Sequence, residues 1–324
     1  MSPQFGAEFT SLDEAFLATI NVLLRQGRIS APRDLPTLEV VPFAFSITDP
    51  RRRYVSVPER RWSIAYAIAE LVWHLRGSGV VDEIAFYAQR WRKIAHGRDA
   101  ITGSCYGSRV FKAAPGRPSQ WETALALLRK DPATRRAVLY FPAPDADPLD
   151  PSADIACALS LQFILRGGRL DAICTMRSND AMLGMPYDVF LFTMMQEMAA
   201  VKLGSELGSY HHQMASVHLY ESQVALAERV VASKFEMFEP MTSMSSLDRL
   251  DVLLQGEADS RLGVALEECS PRSAGYWDNL LDVILRWADS RHNATDASLK
   301  PALRDPVLEM LFGQWWSTRK LPAG

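Results

Sequence analysis

Apolar residues recur at helical spacing over residues 13–26, DEAFLATINVLLRQ, and the run closes at Gly27, so an amphipathic helix is expected there. From residue 37 the stretch TLEVVPFAFSIT alternates and reads as one strand. Residues 58–77, PERRWSIAYAIAELVWHLRG, form a long, mostly apolar helix ended by Gly77. Ser119 with Glu122 three residues on gives the capping pattern of a helix over 119–131. The middle of the chain changes period. Residues 135–142 read as a strand, and ALSLQFILRGGRLDAICTMRS as two strands joined at a Gly167-Gly168 turn. Residues 188–204 are an apolar helix that belongs inside, and 209–220 are another strand. The acidic, proline-rich stretch 143–154 is a loop, and beyond residue 221 the pattern is mostly helical. The order predicts an α+β fold, with helices packed on a mixed or antiparallel sheet. Residues 1–222 are expected to form the core, and 223–324 a mainly helical region completing the same domain.

Composition narrows the class. The chain has 324 residues, 48% hydrophobic, enough for a large core. A net charge of -3 and a pI near 6.1 give no global basic field, so neither nucleic acid nor an anionic membrane is the default partner. The basic run DPRRRYVSVPERR reads as a solvated loop and helix start. No signal peptide and no apolar run of membrane-spanning length is recognisable. Four cysteines, at 105, 157, 174 and 269, show neither metal-ligand spacing nor a disulfide framework, so a reducing cytoplasm and no bound metal are expected.

The densest polar constellation is MRSNDAMLGMPYD, residues 176–188, where Arg, Ser, Asn and two Asp surround a turn with Gly184 and Pro186. Arg177 next to Ser178 suits a phosphate, because a guanidinium grips oxyanions in a bidentate fork. Cys157 follows the acidic loop at the start of a strand. It is a buried structural thiol or a nucleophile, and the second role needs an electropositive setting. Arg33 and the Arg135-Arg136 pair are further candidate anion ligands; singly, each reads more readily as a solvated surface charge. Glu70 interrupts an apolar helix with His74 one turn later. It is either half of an exposed Glu–His pair, worth about 0.3–0.5 kcal/mol, or a desolvated carboxylate with a raised pKa suited to acid–base work.

Together these segments resemble the thymidylate synthase family over roughly residues 13–222, most strongly over 135–220. AELVWHLRG is similar to the segment carrying the active-site glutamate, here Glu70, and GSCYG to that carrying the tyrosine, here Tyr106. ATRRAVL resembles the paired-arginine segment, with Arg135 and Arg136, and ACALSLQF the nucleophile strand, with Cys157. RSNDAMLGMPYD resembles the phosphate-and-base segment, giving Arg177, Ser178, Asp180, Gly184 and Asp188. ASVHLY resembles the ribose segment, with His218 and Tyr220. Arg33 matches the mobile phosphate-binding arginine near the N-terminus, in an altered loop. Three departures stand out. Ala158 follows the nucleophile where the family usually has histidine; the closing C-terminal tail is not recognisable in WWSTRKLPAG; and Asp188 stands where the methylating enzymes carry asparagine.

The resemblance implies an enzyme acting on a nucleoside monophosphate, with 5,10-methylenetetrahydrofolate as co-substrate. It also implies a homodimer in which Arg135 and Arg136 reach the partner's site. Cys157 would be the nucleophile, with its thiol pKa held low by Arg177 and Arg33. Glu70 and Tyr106 would manage protons. Asp180 and Gly184 would line the folate side, and His218 and Tyr220 would bind the sugar. Asp188 points to cytosine, since a carboxylate accepts from N4–H₂ and a proton shared with N3 satisfies the second contact. The branch with Asp here comprises the cytidylate hydroxymethylases. Ser178 and the arginine pair favour dCMP over CMP. An ordinary thymidylate synthase methylating dUMP and an inert nucleotide- or RNA-binding relative are the rival expectations.

Overall fold

The computed structural model describes residues 6–143, 149, 154–234, 238–264, 275–292 and 303–319. The strands are β1 (Ala7–Phe9), β2 (Arg28–Ser30), β3 (Thr37–Val40), β4 (Phe43–Ile47), β5 (Val138–Tyr140), β6 (Ala158–Arg166), β7 (Arg169–Met176), β8 (Asn179–Asp180), β9 (Glu206–Met214) and β10 (Val217–Tyr220). They form a six-stranded sheet, β1-β4-β9-β7-β6-β5, and a four-stranded sheet, β2-β3-β10-β8. Both are mixed: β7 runs parallel to β9 and antiparallel to β6, and β10 runs parallel to β8 and antiparallel to β3. The expected α+β layout is present.

Helices α1 (Leu12–Gln26), α2 (Ile64–Arg76), α6 (Gln120–Lys130) and α7 (Met185–Leu203) carry the packing, with short α3 (Val81–Ala85), α4 (Arg90–Ile94) and α5 (Gly107–Phe111) following α2. Local chemistry sets their ends. Ser11 accepts from Glu14 N at the start of α1, Ser119 and Glu122 close both halves of a capping box on α6, and Gly77 and Gly204 take left-handed conformations after α2 and α7. Helix α7 is apolar on every face. It buries Phe190, Phe192, Met194 and Met198 against α2 and against β7 and β9.

Two runs that read as single strands are each divided between the sheets. Residues 37–48 break at Val41-Pro42, where proline offers no N–H to a ladder. Residues 209–220 break at Ala215-Ser216: Ala215 N still donates to Met176 O, whereas Ser216 O accepts from Asn179 N in the other sheet. The breaks face each other. Phe43 pairs with Met214 before the corner and Val40 with Val217 after it, so one antiparallel pair bends from the large sheet into the small one. The site lies at that corner.

Three further boundaries differ. The helix expected from 58 starts at Ile64, because Pro58–Arg60 is a separate turn, Arg61 has φ of 50° and Ser63 caps α2 itself. The strand expected over 135–142 contracts to Val138–Tyr140. The helix expected from 188 starts at Met185 with Pro186 in its first turn, which puts Asp188 inside the first turn. The loop expected over 143–154 lies mostly outside the described residues, as does Cys269.

After residue 223 come α8 (Val224–Ala232), α9 (Leu250–Arg261), α10 (Tyr276–His292) and α11 (Pro306–Arg319). Helices α9, α10 and α11 pack on α2, and Arg76 at the end of α2 pairs with the buried Glu257 of α9. The helix carrying Glu70 is thus covered by the part of the chain where the sequence resemblance fades. Among the described residues no helix is long and apolar enough to cross a membrane.

Candidate active site

A cavity of about 650 Å³ opens at the corner between the sheets, and its lining includes Arg33, Cys157, Arg177, Ser178, His218 and Tyr220. Four of the segments expected to share a ligand, those of Arg33, Cys157, Arg177-Ser178 and His218-Tyr220, thus meet on one space. The cavity is also lined by Glu39, His96, Arg98 and Asp154.

Cys157 immediately precedes β6, and Arg177 immediately follows β7, its antiparallel neighbour. Arg177 N donates to Cys157 O at 2.9 Å, its Nε to Ala156 O at 2.9 Å and its Nη2 to Ile155 O at 3.0 Å. The same Nη2 stands 3.7 Å from the Cys157 sulfur. The thiol is accessible, yet its pKa lies above the ordinary thiol value. Burial by surrounding protein atoms is the largest cause; Arg177 and Arg33 pull the value down, and Asp188 and Asp154 push it up. The expectation of a thiol held low by arginines therefore has the wrong sign in the free protein: desolvation of a small anion outweighs two partly solvated guanidinium groups. Asp154 also binds Ser104, accepting from its N at 2.8 Å and its hydroxyl at 2.6 Å.

Behind the cysteine lie three acids and phenols that feel one another. Tyr106 is buried, stacked on His74 at 5.0 Å and tilted against Phe141 at 4.7 Å. Its pKa is pushed well up by burial, then by the charges of Asp188 and Cys157. Asp188 is raised to about 8, chiefly by burial and then by Glu70, while a hydrogen bond from Asn179 lowers it. Glu70 is raised by burial, and Tyr66 OH donates to its Oε1 at 2.6 Å. Glu70 therefore fits the desolvated alternative. His74 instead accepts from Tyr106 N at 3.1 Å, so each member of the suspected Glu–His pair has another partner. Tyr66 further accepts from Trp91 Nε1 at 3.0 Å, and the Arg90 guanidinium lies 4.9 Å from its ring centre.

Asp180 starts the turn into α7. Its Oδ1 accepts from Met182 N and Leu183 N, both at 2.9 Å. Burial raises its pKa, while the charges of His218 and Arg60 lower it. Gly184 backs onto the Asn179–Asp188 contact, where a Cβ would stand 3.4 Å from both Asn179 Nδ2 and Asp188 Oδ2. Near Asp180, the Arg60 guanidinium lies 5.6 Å from the Tyr187 ring, on which Trp62 stacks at 5.6 Å. Arg60 is buried, and its Nε and Nη2 have no hydrogen-bond partner among the described residues. On the opposite strand of the corner, Ser178 Oγ is 3.4 Å from His218 Nδ1, and the His218 and Tyr220 rings meet edge-on at 5.2 Å. Arg33 lies near Tyr220, whose pKa burial raises and the Arg33 charge lowers, and has a left-handed φ of 53°.

Arg135 and Arg136 are not among the residues lining this cavity. Both are exposed just before β5, the edge of the large sheet, where Arg135 O accepts from Gln162 Nε2 at 2.8 Å. Among the described residues no group of three or more His, Cys, Asp and Glu is placed to hold a metal ion. Sequence reasoning missed Tyr66, Arg90 and Trp91 around Glu70, and Asn179 behind Asp188. Tyr66 had a signal, lying one helical turn before Glu70. Asn179 sat inside the polar run and was passed over.

The family model described as thymidylate synthase matches residues 14–252. A thymidylate synthase of Bacillus atrophaeus is 29% identical over 164 residues, covering 49% of this chain and 71% of that protein. Thymidylate synthase 1 of Bacillus subtilis (strain 168) is 29% identical over the same length, covering 49% of this chain and 58% of its own. A deoxyuridylate hydroxymethyltransferase of Bacillus phage SP01 is 26% identical over 219 residues, covering 64% of this chain and 56% of its own.

Proposed function

This chain belongs to the thymidylate synthase family, and from that premise we propose that it is a cytidylate 5-hydroxymethyltransferase acting on dCMP. The reaction joins dCMP, 5,10-methylenetetrahydrofolate and water to give 5-hydroxymethyl-dCMP and tetrahydrofolate. The observation that carries the reading is Asp188: its carboxyl sits close enough to Cys157 and Tyr106 to shift both, and it keeps its proton up to about pH 8. A neutral carboxyl accepts from cytosine N4–H₂ with one oxygen and donates to N3 with the other.

Arg177, Arg33 and Ser178 hold the phosphate, and His218 and Tyr220 the sugar hydroxyl. Carbon C5 of a pyrimidine is a weak nucleophile. Addition of the Cys157 thiolate to C6 forms the S–C6 bond and moves an electron pair to C5, which then bonds the one-carbon unit. The raised thiol pKa means that its proton must leave first. The folate co-substrate supplies that carbon at the oxidation level of formaldehyde. A residue near Asp180 fits it: Arg60 is buried, and its Nε and Nη2, without hydrogen-bond partners among the described residues, are donors for a carboxylate. Tyr106 takes part in removing the C5 proton, as the bond from the new carbon to the folate nitrogen breaks, releasing tetrahydrofolate and leaving an exocyclic methylene on C5. Glu70, hydrogen-bonded by Tyr66, orients and deprotonates a water that adds to the exocyclic carbon as the sulfur leaves C6. The phage relative, described as a hydroxymethyltransferase, supports the hydroxymethyl outcome. Arg135 and Arg136, exposed on the sheet edge, would complete the phosphate site of a second copy.

Tritium release from the 5-position of labelled dCMP, dUMP and CMP tests the reading. Folate-dependent release fastest from dCMP is expected. Faster release from dUMP contradicts it, and faster release from CMP moves the substrate to the ribonucleotide.

A further inference from the structure

A neutral carboxyl has a weakness as a base reader. Its proton can sit on either oxygen, so it can offer donor and acceptor in either order. One order matches cytosine, with its N3 acceptor and N4 donor; the other matches uracil, with its N3–H donor and O4 acceptor. Asp188 alone therefore does not choose.

Behind Asp188 runs a buried hydrogen-bond chain. Asn179 Nδ2 donates to Asp188 Oδ2 at 2.7 Å. Asn179 Oδ1 lies 2.8 Å from His212 Nε2, and His212 Nδ1 lies 2.7 Å from the Tyr210 hydroxyl. Strand register builds it: Tyr210 and His212 point to one face of β9, and His212 stands opposite Cys174 on β7. Asn179, His212, Tyr210 and Cys174 are all buried, and Phe45 stacks on the imidazole at 5.2 Å, limiting its rotation. Cys174 touches the Tyr210 hydroxyl and is kept protonated by burial. A thiol sulfur is a weak acceptor, so the single Tyr210 proton goes to His212 Nδ1. Burial keeps His212 neutral, its pKa down at about 3. It then has one proton, on Nε2, which it donates to Asn179 Oδ1. Every donor in the chain points towards Asp188.

We propose that Asn179, held by His212 and Tyr210, is a positioning residue that fixes Asp188 Oδ2 as an acceptor and Oδ1 as the proton carrier, and so confines the site to cytosine. This rests on the reading that Asp188 contacts the base edge, with Oδ2 set against position 4 of the base and Oδ1 against N3. With Oδ2 already accepting from Asn179, a proton there would face the Asn179 N–H. The order that suits uracil is blocked, and the one that suits cytosine remains.

Equilibrium binding of dCMP and dUMP to the full-length protein tests this in the wild type, Asp188→Asn, Asn179→Ala and Tyr210→Phe. The wild type should favour dCMP by about tenfold or more, and Asp188→Asn should invert the ratio. Asn179→Ala should bring the ratio near one, with dUMP bound more tightly than by the wild type. Tyr210→Phe keeps the ring but frees the His212 tautomer, and should reduce the ratio partway. It decides the matter if Asn179→Ala does not fold. A merely structural role weakens both nucleotides alike and leaves the ratio unchanged. An unchanged ratio in the folded Asn179 and Tyr210 variants, with Asp188→Asn still inverting it, overturns this inference and leaves the base reading standing. No cytosine preference in the wild type removes both.

Discussion

Nη2 of Arg177 lies 3.7 Å from the sulfur of Cys157, and the thiol nonetheless holds its proton more tightly than a free cysteine. Packing around the sulfur costs its anion more than the guanidinium returns. Arg177 also directs two of its donors to the carbonyls of Ile155 and Ala156, so it braces the backbone beside the thiol as well as facing it. Alkylation of Cys157 by iodoacetamide should therefore speed up with pH past the range of an ordinary thiol. Arg177→Ala removes the main charge favouring the thiolate, so its profile should move further up, with slower alkylation at pH 8. A downward move would mean that Arg177 does not stabilise the thiolate.

Tyr66 should tune Glu70. Its hydroxyl donates to Glu70 Oε1 at 2.6 Å, which favours the ionised carboxylate against the burial that raises its pKa. Tyr66→Phe leaves the ring and removes the donor. The pKa of Glu70 then rises, and the acidic limb of the kcat profile should move to higher pH. An unmoved limb would dissociate that limb from Glu70.

Asp188 should weaken the fold as pH rises. Its folded pKa of about 8 exceeds the ordinary 3.8. A group raised in this way contributes stability that is full below pH 3.8 and is lost as pH climbs through 8; each unit is about 1.4 kcal/mol. Asp188→Asn lacks this loss. Its Tm relative to wild type should increase from pH 5 to pH 9, by several degrees. Asp13, raised to about 6 by burial, titrates in both proteins and cancels in the comparison. A constant difference in Tm would place the Asp188 pKa near that of a free carboxyl.

Arg135 and Arg136 should act across subunits. Cys157→Ala and Arg136→Ala proteins should each be nearly inactive alone. After mixing and subunit exchange, one site of each heterodimer regains both groups, so about a quarter of wild-type activity should return. No recovery, with exchange verified, would assign Arg136 to its own subunit or to no site.

The sequence made local features readable and long-range ones obscure. The Gly167-Gly168 hairpin, the Ser119–Glu122 capping box and the glycine stops after α2 and α7 depend on residues a few positions apart. The corner at Pro42 and Ala215 was not readable, because alternation within a strand does not say which sheet it joins. The site shows the same divide. Cys157, Arg177, Ser178, His218, Tyr220 and Arg33 could be read one by one, and they share a cavity. The Tyr210–His212–Asn179 chain depends on the register of β9 against β7 and on the pairing of β8 with β10, which no single segment reveals. The direction of the Cys157 shift was misread for a related reason: neighbouring arginines are visible in a sequence, and the burial that outweighs them is not.

Mass spectrometry of the nucleotide product formed from dCMP and 5,10-methylenetetrahydrofolate in H₂¹⁸O tests capture by water directly. The expected product is 5-hydroxymethyl-dCMP carrying ¹⁸O on the new carbon, with tetrahydrofolate as the co-product and no rise in dihydrofolate absorbance. A 5-methyl product with a matching rise in dihydrofolate would contradict capture by water.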